Sequence, residues 1–422
     1  MEGTDLKPIA ETYVKLVLAV GRHDTDYVDA YYGPPEWKQE AENSELSLPI
    51  ISRQAGALLT QLDGLPDPAT EELENLRRRY LRRQLDALAA RVRMLQGERL
   101  SFDEESRALY DAVAPTHNEE YFRQILDGLD GLLPGEGPIA ARYEDFRLQF
   151  VIPADRLDDL FQAAIAACRE RTARHLSLPA GESFVVEYVT DKSWSGYNWY
   201  QGNYRSLIQV NTDLPIYIDR AIDLACHEGY PGHHVYNVLL EKNLVRERGW
   251  MEFSVYPLFS PQSLIAEGSA NYGIRMAFPG DERVRFEREN LFSLAGLDPG
   301  GAERYYRIQD LYRQLNYAGN EAARRYLDGR IDAGQAADWL GLYALFSPSR
   351  AKQRVRFIDQ YRSYVINYNL GQDLVRDYVE STAGAKASPD RKWAVFGELL
   401  SSPRLPSDLT PSAGRAPAAE GS

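Results

Sequence analysis

Three of the six histidines in this 422-residue chain, His227, His233 and His234, fall within one short segment, CHEGYPGHHVYN. Imidazole is a common zinc ligand, and a carboxylate directly after the first ligand can deprotonate a metal-bound water, as in helical HExxH sites. Glu228 is such a carboxylate. The residue four positions after His227 is Pro231 rather than histidine, so a second metal ligand must come from farther along the chain.

The Pro-Gly step decides which later histidine could share an ion with His227. An ideal helix turns about 100° and rises about 1.5 Å per residue, which places His234 about 20° from His227 in projection but about 10.5 Å along the axis. His233 lies on another face of such a helix. Pro231 has no N–H for the carbonyl of His227, so the helix should be bulged or interrupted, and a bulge could return His233 to the face of His227. The alternative is three surface or capping histidines at a Pro-Gly break.

A candidate third ligand is Glu267, in the segment LIAEGSANY. Most glutamates in helices are solvated. Here Leu264, Ile265 and the small residues at 268–270 indicate a close-packed helix, on which an unpaired carboxylate would be costly. Metal ligation would satisfy that carboxylate.

The two segments together resemble a known family. The octapeptide HEGYPGHH at 227–234 matches the HExxPGHH signature of the bacterial family catalogued as domain of unknown function 885, and EGSANY at 267–272 matches its EGxAxY element. That family is similar to the gluzincin metallopeptidases, whose helical members include neurolysin-like oligopeptidases, angiotensin-converting enzyme and Taq-type carboxypeptidases. The resemblance covers mainly residues 180–380.

The resemblance implies a mainly α, two-lobed helical metallopeptidase-like fold with a small antiparallel β-sheet next to the motif helix. It implies one Zn²⁺ ion bound by His227, His233 and Glu267, with His234 as the alternate ligand and Glu228 as the general base. An imidazole and carboxylate donor set also favours zinc over other divalent ions.

A peptide hydrolase of this kind also needs a donor for the tetrahedral oxyanion. The segment YNLGQ resembles a YxxGQ element of the family, which makes Tyr368 the favoured donor, with Tyr364 and Tyr361 behind it. The alternative for each tyrosine is a packing role at helical spacing.

Apolar residues recur at spacings of three and four through most of the chain, which predicts helices. The predicted helices cover 4–20, 73–95, 102–113, 118–132, 153–177, 302–327, 333–345, 351–366 and 371–381.

Two segments rich in β-branched and aromatic residues, 184–190 and 204–211, predict strands of a small antiparallel sheet. If the second is an edge strand, it could pair with an extended peptide, so Asn211 and Tyr204 are predicted to contact substrate. Tyr364 is a further predicted substrate contact. A plain structural strand is the alternative.

The domain organisation is predicted as a helical part over 1–180, a sheet-plus-helix catalytic part over 181–402 and a disordered tail over 403–422. A basic stretch, SPSRAKQRVRF, contains Arg350, Lys352, Arg354 and Arg356. An arginine there that faced the cleft could bind the C-terminal carboxylate of a substrate and favour carboxypeptidase action, although such runs are more often solvated.

Composition excludes several classes of protein. The 48 Lys and Arg against 62 Asp and Glu give a net charge of −14, which argues against nucleic-acid and anionic-membrane partners. The two cysteines cannot form a dense disulfide framework, and the N-terminus does not resemble a signal peptide, so we expect a cytoplasmic protein. No apolar run is long enough to predict a membrane span. A monomer and a homodimer are both compatible.

The prediction from sequence is therefore a zinc-dependent metallopeptidase that hydrolyses short peptides by a metal-activated water. A metal-dependent amidase or esterase acting on a non-peptide small molecule would use the same site chemistry. A helical binding protein with a vestigial site is the third possibility.

Overall fold

The computed structural model describes residues 6–66, 72–192, 194–384 and 386–410, and most of these are helical. The helices that precede the central sheet are α1 (Lys7–Val20), α2 (Pro35–Asn43), α3 (Leu48–Gly64), α4 (Glu72–Leu95), α5 (Phe102–Tyr110), α6 (Glu119–Asp130), α7 (Ile139–Leu148) and α8 (Leu157–Ala173). The helices that follow it are α9 (Asp219–Leu224), α10 (His233–Leu240), α11 (Pro261–Ala277), α12 (Glu282–Phe286), α13 (Phe292–Ala295), α14 (Ala302–Arg313), α15 (Tyr317–Leu327), α16 (Ala333–Tyr343), α17 (Pro348–Tyr361), α18 (Ile366–Ala383), α19 (Pro389–Leu400) and α20 (Pro406–Leu409). The predicted mainly α fold is confirmed.

Local sequence explains where several helices start. Ser101 caps α5 by accepting a hydrogen bond from the backbone N–H of Glu104, whose carboxylate accepts one from the N–H of Ser101 at 2.9 Å. Asp332 and Gln335 form the same reciprocal cap at α16. The predicted helix 302–327 is interrupted, because a 3₁₀ turn at Gln314–Asn316 separates α14 from α15. The predicted helix 351–366 ends early, because α17 stops at Tyr361 and a 3₁₀ turn at Arg362–Val365 follows it.

Three strands form the sheet next to the motif helix: β2 (Ser183–Val189), β3 (Gly196–Gly202) and β4 (Arg205–Asn211). Its strand order is β2-β4-β3, and the antiparallel pair is β3 with β4. The two segments predicted as strands, β2 and β4, run parallel to each other. The connection between them contains β3, which runs in the opposite direction and pairs with the other side of β4. β4 is therefore the central strand. The segment 204–211 is therefore not an edge strand, and it cannot pair with an extended peptide as an edge strand could.

A separate two-stranded ribbon joins distant parts of the chain. Strand β1 (Val28–Tyr31) pairs antiparallel with β5 (Val255–Pro257). Strand β1 lies near the N-terminus and β5 leads into α11, so this pairing holds the first helices against the helix that carries Glu267.

Two clusters of buried apolar side chains form the core, and both cross residue 180. Phe122 contacts Trp339 in one cluster, with ring centroids 6.1 Å apart, and Tyr110 contacts Tyr364 in the other at 6.0 Å. The two predicted parts thus share their cores. The first residues of the predicted tail, 403–410, contain α20 and bury Leu405 and Leu409, whereas 411–422 lie outside the described residues.

Helices α11 and α18 pack closely because two glycines face each other. A Cβ on Gly268 would lie 2.4 Å from the carbonyl group of Gly371, a distance no side chain tolerates. The absence of both side chains lets the backbones approach. This contact brings Tyr364 and Tyr368, which precede Gly371, next to Glu267. Within the described ranges, none of the helices combines the length and apolar character that crossing a bilayer requires.

Candidate metal centre

The histidine segment is broken as predicted. Helix α9 continues into a π-helical turn, Ala225–Gly229, which the N–H of Tyr230 closes by donating to the carbonyl of Ala225 at 3.0 Å. Helix α10 then begins at His233. Between them, Gly232 passes so close to His227 that an added Cβ would lie 1.8 Å from its carbonyl oxygen. Only glycine fits there, and the extra residues of the turn and break return His233 to the side of His227.

His227, His233 and Glu267 converge on one point of the cleft. The Nε2 atoms of His227 and His233 are 3.1 Å apart. Oε2 of Glu267 lies 3.2 Å from Nε2 of His227 and 3.8 Å from Nε2 of His233. All three potential ligand atoms lie within 4.8 Å of one another. The structure therefore brings together the three residues that the sequence predicts as ligands.

The spacing of these atoms fits a tetrahedral ion. Ligand atoms about 2.0–2.1 Å from a tetrahedral zinc are about 3.3 Å apart, close to the three distances found here. Oε2 of Glu267 is buried and accepts no hydrogen bond from the described residues. A buried carboxylate oxygen without a partner is costly, and a cation would satisfy it. Three protein ligands leave a fourth position for water.

The outer partners of two ligands orient them. Nδ1 of His227 lies 3.1 Å from Oδ1 of Asn271, an arrangement in which the ring donates to the amide oxygen and presents Nε2 to an ion. The amide nitrogen of Asn271 in turn donates to the carbonyl of Tyr368 at 3.1 Å. The hydroxyl of Tyr364 donates to Oε1 of Glu267 at 2.8 Å, which leaves Oε2 for the ion.

The three ligands perturb one another's protonation. Burial would lower the pKa of His227, but the carboxylate of Glu267, 3.2 Å away, and the negative charge of Glu228 raise it to about 9. Burial lowers the pKa of His233 to about 4, and the positive charge of His227 adds to this effect. Burial would raise the pKa of Glu267, yet both imidazoles hold it below its usual range. The three side chains thus share one proton, which His227 carries, and metal binding would release it.

Glu228 adjoins the ligands without belonging to them. Its side chain is buried and lines the cleft, and its backbone carbonyl accepts a hydrogen bond from the amide of Asn198 at 2.7 Å. Burial raises the pKa of Glu228 to about 7, opposed by the charge of His227 and supported by the negative charges of Glu267 and Asp29. A carboxylate poised near neutrality suits general-base chemistry.

His234, the alternate ligand, lies elsewhere. It is fully buried, with Nδ1 at 2.9 Å from the hydroxyl of Ser206 and Nε2 at 3.0 Å from Oε2 of Glu182. Tyr230 donates to the same carboxylate at 2.6 Å, and Arg169 pairs with its other oxygen. Both ring nitrogens of His234 are therefore engaged by the sheet and its neighbours, and His233 rather than His234 belongs to the converging set.

We predict that His234→Gln keeps full metal content but lowers the free energy of unfolding by about 1–3 kcal/mol. The substitution removes partners from Ser206 and Glu182 without touching the three converging ligands. Urea unfolding and metal analysis by mass spectrometry measure the two quantities. Loss of the metal from a variant with unchanged stability would contradict the assignment of His233.

The remaining predicted residues are divided between the site and other places. Tyr364 and Tyr368 both line the cleft. Asn211 borders it too, but its amide donates to the carbonyls of Lys192 and Trp194, so it holds a loop. Tyr204 lies outside the cleft, where its ring packs against Arg246 at 4.7 Å. The structure therefore does not bring Tyr204 to the site.

The cleft has a volume of about 1320 Å³. The three ligands, Glu228 and the two tyrosines line it together with strand β3 and helix α17. Pockets of drug-sized ligands measure about 300–1,000 Å³, so this cleft has room for a short peptide.

Comparison with known proteins gives no family assignment. No family model and no curated protein matches the chain. Among solved structures, it is similar to a "putative lipoprotein" from Colwellia psychrerythraea, at a TM-score of 0.47 and 14% identity over 86% of this chain and 71% of that one. A "putative lipoprotein of unknown function" from Shewanella oneidensis gives a TM-score of 0.48 and 14% identity over 89% and 75%.

An M32 carboxypeptidase from Deinococcus radiodurans R1 matches with a TM-score of 0.37 and 13% identity over 93% of this chain and 88% of that one. At these TM-scores and identities, the likenesses establish neither a family nor an activity. The resemblance to the domain of unknown function 885 family stays a prediction.

Sequence reasoning missed three residues of the site. Asn271 lies four residues after Glu267 on α11, a spacing that puts both on one helix face and could have revealed it. No local sequence pattern indicated that Asn198 and Asp29 belong to the site. Asp29 lies on β1 and lines the cleft, where Tyr197 donates a hydrogen bond to it. Burial raises the pKa of Asp29 to about 7.

Proposed function

We propose that this protein is a zinc-dependent peptidase that hydrolyses peptide bonds of short peptides. The observation that carries the proposal is the convergence of His227, His233 and Glu267 at near-tetrahedral spacing beside the buried Glu228. Two imidazoles, one carboxylate and an open position are the ligand set of catalytic zinc sites.

Each residue has a distinct role in this proposal. His227, His233 and Glu267 would hold the ion, which when bound supplies a Lewis acid and a water of lowered pKa. Glu228 accepts the proton of the attacking water and delivers it to the leaving amine. Asn271 and Tyr364 keep His227 and Glu267 in their ligating orientations.

The two tyrosines of the cleft have different partners. Tyr364 is engaged by Glu267, whereas the hydroxyl of Tyr368 makes no hydrogen bond to any other residue that the structure describes. Burial raises the pKa of Tyr368 well above its usual value, and the negative charge of Glu267 adds to this effect. The hydroxyl therefore stays protonated and can donate to an oxyanion, so we assign that role to Tyr368.

Tyr368→Phe is expected to lower kcat by about 10²–10³-fold with unchanged metal content, since it removes one oxyanion donor. Tyr364→Phe is expected to weaken metal affinity by about 10–100-fold, because it removes a partner of a ligand. Steady-state kinetics and metal titration on both variants separate the two roles. The reverse pattern would exchange the assignments.

The proposed activity is tested on freshly purified protein. We expect about one zinc ion per chain and cleavage of a short-peptide library, seen as new masses. A chelator should stop this cleavage and added zinc should restore it. Turnover of simple esters or amides with every peptide left intact would favour an amidase or esterase. Protein without any metal affinity would refute the proposal.

A further inference from the structure

Two arginines of α17 line the cleft one helical turn apart, Arg350 and Arg354. The guanidinium of Arg354 lies 4.6 Å from the ring centroid of Phe357 and 5.9 Å from that of Tyr368. The guanidinium of Arg350 lies 4.1 Å from the ring of Phe346. Guanidinium groups stack well on aromatic rings, so these contacts hold both cations in fixed positions.

Neither guanidinium has an anionic partner. Within the part of the chain that the structure describes, Arg350 and Arg354 form no ion pair and no side-chain hydrogen bond. Arg376, which also lines the cleft, does have an anionic partner, since it contacts Asp373 at 2.7 Å. Burial lowers the pKa of Arg354, and the charge of Arg350 acts in the same direction. Two neighbouring cations at a partly buried wall are costly without an anion, which must come from outside the chain.

The position of these cations relative to the metal centre limits what that anion can be. Arg354 contacts Tyr368, the ring of Tyr368 lies 5.8 Å from that of Tyr364, and Tyr364 bonds Glu267. An extended peptide covers about 3.5 Å per residue, so the anion would lie a few residues or fewer from the reacting bond. Every unmodified peptide carries a carboxylate at such a distance from its last bonds, and arginine binds carboxylates through two parallel hydrogen bonds.

We infer that Arg354, assisted by Arg350, binds the C-terminal carboxylate of the substrate, so that the protein removes residues from the C-terminal ends of short peptides. This inference rests on the proposed peptidase function and names its substrate class. Asp29 and Glu228 also line the cleft, and their carboxylates disfavour an anion beside them.

The test compares acetyl-Ala-Ala-Ala, which has a free carboxylate, with its C-terminal amide. We expect the wild-type kcat/KM to be about 100-fold higher for the acid. Arg354→Gln should lose about 100-fold on the acid, mainly through KM, and little on the amide. Arg356→Gln is the matched control, because Arg356 is exposed and outside the cleft. The inference would be overturned if the wild type had equal kcat/KM on the acid and the amide, or if Arg354→Gln lost kcat/KM equally on both.

A binding measurement separates this inference from the proposed function. Calorimetry on zinc-loaded Glu228→Gln protein should show tighter binding of acetyl-Ala-Ala-Ala than of its amide, and Arg354→Gln in that background should remove the difference. This pattern would support the carboxylate site even if no peptide were cleaved. A third peptide, acetyl-Ala-Ala-Glu-amide, carries only a side-chain carboxylate. Binding as tight as that of the free acid would overturn the C-terminal assignment.

Discussion

Replacement of Glu228 by glutamine is expected to lower kcat/KM for peptide hydrolysis by about 10²–10⁴-fold while the metal stays bound. Glutamine keeps the size of the side chain and its place beside the cleft, but it cannot accept a proton from water. Glu228 is not among the three converging side chains, so its replacement leaves all three of them present. Peptide cleavage and metal content are measured on the same preparation.

The control for this variant is Glu282→Gln, which also removes one carboxylate from the edge of the cleft. Glu282 is exposed at the start of α12 and should tolerate the change without loss of activity. If Glu228→Gln retained full turnover, Glu228 would not be the base. If it lost the metal as well as the activity, its role would be structural.

The broken histidine helix was predictable because its cause is local. Pro231 lacks an N–H and Gly232 can approach the preceding turn, and both properties are visible in the sequence. Glu267 was predictable for a related reason, since its small and apolar neighbours indicate a packed helix that cannot leave a carboxylate unpaired. The choice between His233 and His234 depends on the exact geometry of the break, which composition and spacing do not determine.

The sheet was predicted only in part, because strand pairing is set by contacts far apart in sequence. The segment at β3 is rich in Gly, Asn and aromatic residues and gave no strand signal, yet it pairs with β4 throughout. Its presence made β4 central and reversed the expected pairing. Tyr204 was also assigned to the cleft. It lies just before the first residue of β4, whereas Asn211, which borders the cleft, is the last residue of that strand.

The wall that carries Asp29 could not be predicted for the same reason. Strand β1 has four residues and pairs with β5 more than two hundred positions later. No local pattern connects two such short segments. Residues near position 30 therefore reach the cleft through a long-range contact alone.

Replacement of Glu267 by glutamine is expected to weaken zinc affinity by more than about 100-fold. Loss of a partner of a ligand already costs about 10–100-fold, and this change affects the ligand itself. Glutamine preserves the volume of the side chain in the close α11–α18 contact, so the fold should persist. Titration with zinc measures the affinity, and the increase in Tm on zinc addition, which reports binding to the folded state, should shrink in parallel. His233→Ala should behave in the same way.

The two variants, Glu228→Gln and Glu267→Gln, should fail in different ways, and that difference tests the metal centre. A lost ligand is compensated by mass action, so excess zinc should restore part of the activity of Glu267→Gln. Excess zinc cannot compensate for a lost base, so Glu228→Gln should stay inactive at any zinc concentration. If Glu267→Gln bound zinc as tightly as the wild type, its carboxylate would not be a ligand, and the near-tetrahedral spacing of the three side chains would have another origin.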